Sequence, residues 1–474
     1  MSLVFRILRV VVIALLIAVV GFIAVIGPWP VYRKSGYAQA GYFTQALAAI
    51  TAHGKGQVAE PAADALKAGW HVVDMTPPVG TPMGGYAARA GEKRSTGVRD
   101  PLFVKAIAFS DGKETVVVIG ADMLMVPPNI AEAVRAAVTK KTGLPQDSIV
   151  FNTTHTHCGP GGLAPGAAMD YSAGPYDPAI PAFISEKMTA AAVGAVESLE
   201  PAKLLRGAVQ APEYIFNREF SGTPGRADAV DPELGYCMVQ QADGDQAIVV
   251  RYSAHPITFT EEMMEFSAEF PGALMRTLEK SRNLTAIYWG GGLGSMGPRA
   301  PEAPTPGERV ELMGSALAKL VDDALPPADA LATAPWVSTA DVGVVGIPTG
   351  SPELQARVLG TASLRLSPMA RHIAYVPMEG WVSAARIGDW FIWGTPYDCS
   401  GEMAVRWRNW GKQQALDVWT LSFNGAYLGY LTPDEYYWLE PLGYETGLMS
   451  WTGPDASAMM TDYLQHAVGV LSKS

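Results

Sequence analysis

The hydrophobic positions of this chain fall into three patterns. From Val10 to Ile26 they form an unbroken run, VVVIALLIAVVGFIAVI, with no charged residue. With the mostly apolar Leu3 to Leu8 added, the run is long enough to cross roughly 30 Å of hydrocarbon as a helix. Residues 35–68 are Ala-rich and read as a helical stalk or linker. Beyond Gly69, short β-rich runs alternate with segments of helical period. Strands are expected at His71–Met75, Phe103–Phe109, Thr115–Ile119, Ser148–Thr154, Gly235–Gln240, Ala247–Ser253, Leu284–Trp289, Trp390–Trp393 and Val418–Phe423. Asp111-Gly112 and Asp243-Gly244 sit where hairpin turns would join neighbouring strands. Helices are expected at Asn129–Thr142, Ile184–Glu197, Pro271–Arg282 and Glu308–Asp323. The expected fold is therefore α/β: one large domain, residues 69–474, with layered mixed sheets and flanking helices, preceded by an N-terminal transmembrane helix in residues 1–34 and a helical linker in 35–68.

Arg6 and Arg9 precede the apolar run, which favours a cytoplasmic N-terminus and a body outside the cytoplasm, periplasmic or extracellular. Arg33 and Lys34 follow it, so the charge asymmetry is weak. The segment after Ile26, GPWPVYRKSG, lacks the small-residue pattern of a cleavage site, so an uncleaved anchor is expected.

Composition narrows the function. With 49% hydrophobic and 17% charged residues, the 474-residue chain can bury a large core. Its formal net charge of -11, with no basic stripe, argues against a nucleic-acid partner. Three cysteines, Cys158, Cys237 and Cys399, are too few for a disulfide framework.

Five segments can carry chemistry. In Asn152-Thr-Thr-His155-Thr-His157-Cys158-Gly-Pro-Gly-Gly162, residues i and i+2 of a strand share a face, so His155 and His157 would point together. They read as a metal ligand and a neighbouring acid or base, or as two hydrogen-bonded structural histidines. Arg251-Tyr-Ser-Ala-His255-Pro256 delivers a histidine where a strand ends, a position that scaffolds use for functional groups and for structural ones alike. In Gly394-Thr-Pro-Tyr-Asp398-Cys399-Ser-Gly-Glu402, Asp398 is a carboxylate ligand or, reading the segment alone, preferably a helix N-cap. Tyr430, in Asn424-Gly-Ala-Tyr427-Leu-Gly-Tyr430, is a metal ligand, a catalytic oxyanion donor or a half-buried aromatic in a turn. The glycine loop after Trp289 admits close backbone approach, but it has neither a nucleophile elbow nor a phosphate-loop lysine.

In order and spacing these segments resemble the neutral (non-lysosomal) ceramidase family, from about Gly69 to Leu464. DMTPPVGTPMGGY is similar to that family's opening loop. THTHCGPGG resembles its T-H-T-H-S-G-P-G-G hallmark, SAHP its second-histidine segment, and TPYDCSGEMAVRWR its P-G-E-x-T segment. NGAYLGYLTPDEYY, with Tyr444-Glu445 and Gly453-Pro454, resembles its Tyr-rich stretch. The resemblance implies a Zn2+ ion held by His155, His255, Asp398 and Tyr430, with His157 beside it as a carbonyl-binding or proton-shuttling group and Tyr444 against the substrate. It implies hydrolysis of the N-acyl amide bond of a ceramide-like lipid, a sphingolipid, by metal-activated water. Three departures stand out. Asp398 replaces a glutamate, Gly297 falls on the family's serine position, and little sequence remains after Gly453-Pro454 for the family's immunoglobulin-like domain. A zinc hydrolase of another amide or ester in the cell envelope, and a lipid-binding protein without catalysis, are the alternatives. Cys158 and Cys399 each neighbour a proposed site residue, so they are expected either close together, as a disulfide or spare thiols, or as unrelated buried residues.

Overall fold

The computed structural model describes residues 3–56, 65–89, 91, 93–219, 229–327, 330–357, 361, 363–374, 376–439 and 442–472. Among these, eight strands build one mixed sheet: β1 (Lys67–Asp74), β2 (Phe103–Ser110), β3 (Thr115–Ala121), β4 (Ile149–Thr153), β5 (Glu200–Gln210), β6 (Glu233–Gln241), β7 (Gln246–Tyr252) and β8 (Thr285–Gly290). Their order is β8-β7-β6-β5-β1-β2-β3-β4. The pairs β3/β4 and β7/β8 are parallel, and the remaining neighbours are antiparallel. A second sheet, β9 (Val342–Gly350), β10 (Glu379–Ile387), β11 (Trp390–Gly394) and β12 (Asp417–Leu421), ends in the parallel pair β11/β12.

The strands read as nearly continuous apolar runs because both faces of each sheet are covered. Along β2, Val104, Ala106 and Ala108 face a helical layer, while Ile107 and Phe109 face the second sheet. β11 divides in the same way, with Phe391 and Trp393 toward helices and Trp390 and Ile392 between the sheets. Between the sheets the rings of Trp289, Trp390 and Trp419 pack with centroids 5.1–6.1 Å apart. Helices α3 (Pro128–Thr142), α4 (Ala179–Glu197), α5 (Glu269–Arg282) and α6 (Pro306–Ala324) cover the outer face of the large sheet. Helices α2 (Gly41–Gly56), α7 (Gly401–Gln413) and α8 (Ala456–Leu471) cover the outer face of the small one. The architecture is thus α/β with layered mixed sheets, as the alternation along the sequence anticipates.

The differences from sequence expectation have local causes. The Ala-rich segment forms helix α2, but α2 is no detached stalk. Phe43, Ala46 and Ile50 are buried, and the Phe43 ring packs 5.1 Å from that of Tyr463 in α8. Residues 57–64 of the expected linker lie outside the described residues. β5, β9 and β10 and helix α8 lie in stretches where no such element was expected.

Helix α1 (Leu3–Val25) is 23 residues long and exposed along nearly its whole length. It is long and apolar enough to cross a membrane, as an anchor or a signal sequence would be. At its base it is fixed to the body. The Ser367 hydroxyl donates to the Ala24 carbonyl at 2.7 Å and the Ser367 N–H to Ile26 at 2.9 Å. Trp29–Pro30 pairs antiparallel with Leu364–Arg365.

Candidate metal centre

The site lies where the C-terminal ends of the parallel strands of both sheets meet. Asn152 in β4 fastens them together. Its amide donates to the Gly290 carbonyl at 2.9 Å and the Ser422 carbonyl at 3.1 Å, and it accepts from the Gly290 N–H at 2.8 Å. One side chain therefore ties the ends of β4 and β8 to the residue just after β12. The chain then leaves β4 through His155, whose φ is 61°. Phe423, just past β12, also has a positive φ, 65°, and its ring stacks on the His155 imidazole at 4.3 Å and 14°. A left-handed backbone at a bulky non-glycine residue is costly and persists only where its surroundings enforce it, commonly at functional sites.

Three imidazoles converge. One ligand nitrogen from each of His155, His157 and His255 lies within 4.8 Å of the others, so the group could hold a metal ion. His157 Nε2 stands 2.9 Å from His255 Nε2. Main-chain oxygens orient two of the rings. His155 Nδ1 faces the Leu124 carbonyl at 2.5 Å, and His255 Nδ1 faces the Leu293 carbonyl at 3.2 Å. A carbonyl can only accept, so His155 Nδ1 carries the proton and its Nε2 is left with a lone pair toward the centre, as a metal-ligating histidine requires. Burial holds all three rings below the ordinary imidazole pKa, His155 down to about 3. They are therefore neutral, the form that binds cations.

Asp398 and Tyr430 come to the same place from adjacent short strands. Asp398–Cys399 pairs in parallel with Tyr430–Leu431, with Asp398 opposite Tyr430. Asp398 Oδ2 lies 3.7 Å from His155 Nε2. The carboxylate is fully buried, and neither oxygen has a hydrogen-bond partner. Burial pushes its pKa up to about 7 against the pull of Arg218. An orphaned buried carboxylate is expensive unless a cation neutralises it, and the donor set beside it, imidazole nitrogens and a phenol oxygen, is one that zinc accepts. These residues fit a bound divalent metal.

The N-cap reading of Asp398 is overturned. Helix α7 begins at Gly401 with Ser400 in the cap position, and Asp398 belongs to the short strand before it. The glycine loop 290–294 passes beneath this pair. A Cβ on Gly294 would come within 3.0 Å of the Tyr430 ring. Tyr444 is 50% exposed, with its ring 5.9 Å from that of Tyr430, so it stands at the outer edge of the site. Cys158, Cys237 and Cys399 are all buried and free, so no disulfide joins Cys158 to Cys399.

One functional candidate carried no sequence signal. Arg218, just past the short strand Ile215–Asn217, donates from Nη2 to the Tyr430 hydroxyl at 2.8 Å and from Nε to the Gly294 carbonyl at 2.8 Å. The same Nη2 lies 3.2 Å from His255 Nδ1. Burial opposes its charge, but Tyr430, Asp398, Glu445 and Tyr444 outweigh that and hold its pKa above the ordinary value. It is thus a fixed cation at the edge of the histidine cluster.

Gly297, where the sequence resemblance implies a serine, has little room for a side chain. Met296–Pro298 pairs with Ile215–Asn217, placing Gly297 opposite Phe216. A Cβ on Gly297 would meet the tip of the Phe216 ring at 2.4 Å.

Residues 66–286 match the profile of the family described as "Neutral/alkaline non-lysosomal ceramidase, N-terminal". The fold is similar to that of neutral ceramidase from Pseudomonas aeruginosa, with a TM-score of 0.75 and 17% sequence identity, covering 86% of this chain and 75% of that one. It is also similar to a structure titled "Ceramidase complexed with C2", with a TM-score of 0.74 and 16% identity, covering 86% of this chain and 76% of that one.

Proposed function

We propose that this chain, whose residues 66–286 match the neutral/alkaline non-lysosomal ceramidase profile, is a member of that family and a zinc-dependent amidohydrolase that cleaves the N-acyl bond of a ceramide-like lipid. The observation that carries the reading is the unpartnered Asp398 carboxylate facing the Nε2 side of His155 in a buried, polar centre. His155, His255, Asp398 and Tyr430 would hold the ion, and when bound it supplies a Lewis acid and a water of lowered pKa.

The chain's own groups suit the remaining work. His157 is neutral and its Nε2 points into the cluster, so it can accept a proton from a water in the site and pass it to the departing amine. Arg218 fixes the Tyr430 hydroxyl and keeps a positive charge where negative charge develops on the scissile carbonyl. Tyr444, half exposed at the mouth, is placed to touch the substrate. Phe423 shields the His155 ring on one face and limits water there.

The glycine at position 297 favours a second reading within the same chemistry, a zinc hydrolase whose substrate is another lipid amide or ester of the cell envelope. Residues 1–34 would anchor the protein in a membrane and residues 69–474 would be the catalytic body, held outside the cytoplasm. The test is metal content together with hydrolysis of matched N-acyl amide and ester lipids by purified protein. Turnover of the amide with one bound zinc supports the first reading, ester preference supports the second, and zinc-free protein that binds but never cleaves either lipid overturns both.

A further inference from the structure

Away from the histidine cluster, the structure holds a cavity of about 660 Å³ with a buried arginine in its wall. Arg135 projects from the inner side of α3 and is 1% exposed. Its Nη2 donates to the Ile149 carbonyl at 3.3 Å, while Nε and Nη1 have no hydrogen-bond partner. Its guanidinium lies 4.2 Å over the Trp381 ring and 4.9 Å from that of Phe151. Glu132 and Glu379 also line the cavity, but both are exposed, and no ion pair to Arg135 forms among the described residues.

Buried guanidinium groups are normally saturated with acceptors, because each unpaired N–H forgoes its hydration. The two aromatic faces offset part of that cost but accept no in-plane hydrogen bond. Burial lowers the Arg135 pKa to about 9, so the group is still cationic at neutral pH. Arg371 and His372 also line the cavity, and Pro128, Pro348, Val376, Pro377 and Met378 form an apolar stripe in its wall. An apolar crevice toward Tyr427 and Trp451 shares Pro128, Val376 and Pro377 with it. A buried cation short of acceptors, a second arginine on the wall and an apolar stripe match a ligand with one negative charge and an alkyl chain.

We propose that this cavity binds the carboxylate of a fatty acid, with the head group on Arg135 and the chain along the proline-lined wall. The inference rests on the cavity alone and not on the metal centre. One loop touches both places: the segment that lays Phe423 on His155 continues to Gly425, where a Cβ would come within 3.0 Å of Arg135 Nη1. Gly425 has φ 70°, so it supplies both the turn and the space beside the arginine.

The test is calorimetric titration of the full chain with decanoate, decanol and acetate, in wild type and Arg135→Met. Decanoate should bind wild type at least about tenfold more tightly than decanol or acetate, and Arg135→Met should remove that advantage. Undiminished decanoate binding by Arg135→Met would overturn the proposal, since the acid would then sit elsewhere, the histidine cluster included. Equal affinity for acetate and decanoate would also overturn it. Should Arg135→Met fail to fold, hydrogen exchange on wild type decides. Decanoate, and not decanol, should protect residues 128–142 and 376–381, and absence of that protection would overturn the site.

Discussion

The Asp398 carboxylate stands 3.7 Å from the Nε2 of His155, and neither of its oxygens receives a hydrogen bond from the protein. A shared cation resolves both facts. His155→Ala and Asp398→Asn should each lower bound zinc by about tenfold or more, read by elemental analysis, with unchanged far-ultraviolet circular dichroism. Hydrolysis should fall with the metal. Full zinc content in both variants would sink the assignment of these two side chains.

Arg218 makes a different kind of contribution. Arg218→Met removes the donor to the Tyr430 hydroxyl and the charge beside the cluster, but no ligand atom. We expect kcat to drop about 10²–10³-fold, the range seen when one oxyanion donor is removed, with zinc content retained. Arg218→Lys should recover part of the loss, because it restores charge without the guanidinium's second contact to Gly294. Zinc loss in Arg218→Met would show instead that the residue serves to hold the metal site together.

A buried ion network, joined through Ser253 to the glycine loop, gives a stability prediction. Asp231 is fully buried between Arg408 Nη2 at 2.7 Å and Arg251 Nη1 at 3.1 Å, and Ser253 donates to it at 2.7 Å. Burial opposes its ionisation, but the two arginines prevail and hold its pKa below the ordinary carboxylate value. Asp231→Asn leaves the Arg251 and Arg408 guanidinium groups with Glu233 as their one remaining carboxylate and should cost about 3 kcal/mol in denaturant unfolding. The sign with pH follows. The unfolded aspartate binds a proton near pH 4, whereas the folded one resists it, so the stabilisation is complete above that range and shrinks as pH falls through it. The gap between wild type and variant should therefore narrow below about pH 4. A gap that widens in acid would contradict the depressed pKa.

At position 297, where the sequence resemblance implies a serine, adding that side chain should not by itself restore anything. Gly297→Ser sets a Cβ against the Phe216 ring and should destabilise by about 1–3 kcal/mol, as overpacking does. The partner ring is only partly buried, so Phe216→Ala in the same chain should recover most of that loss in thermal unfolding. A stable single variant would mean that the ring swings away freely.

How much of this was readable in the sequence depends on which physics set each feature. Strands covered on both faces announce themselves as apolar runs, and so β2, β3, β7, β8 and β11 lie where the pattern places them. β9 was hidden because Val342–Gly350 interleaves glycine and proline with its valines. β5 was hidden because Glu200–Gln210 mixes Lys203 and Arg206 among short apolar residues. His155, His157 and His255 were legible as strand-end histidines. Asp398 was not separable from a helix cap, since the residues that make it a strand partner of Tyr430 lie far along the chain. Arg218 was invisible for the same reason: its partners Tyr430 and Gly294 meet it only in the folded state.

Helix α1 is held at its base by Ser367 and by the pairing of Trp29–Pro30 with Leu364–Arg365. A tether on a floppy string would let the globule tumble and would leave the mouth of the pocket aimed in any direction. A shaft bolted to its housing does not. Were this helix inserted in a lipid sheet, the same face of the protein would be turned toward that sheet, and the route by which a greasy molecule would reach the histidines would be set by the angle at which the shaft is bolted.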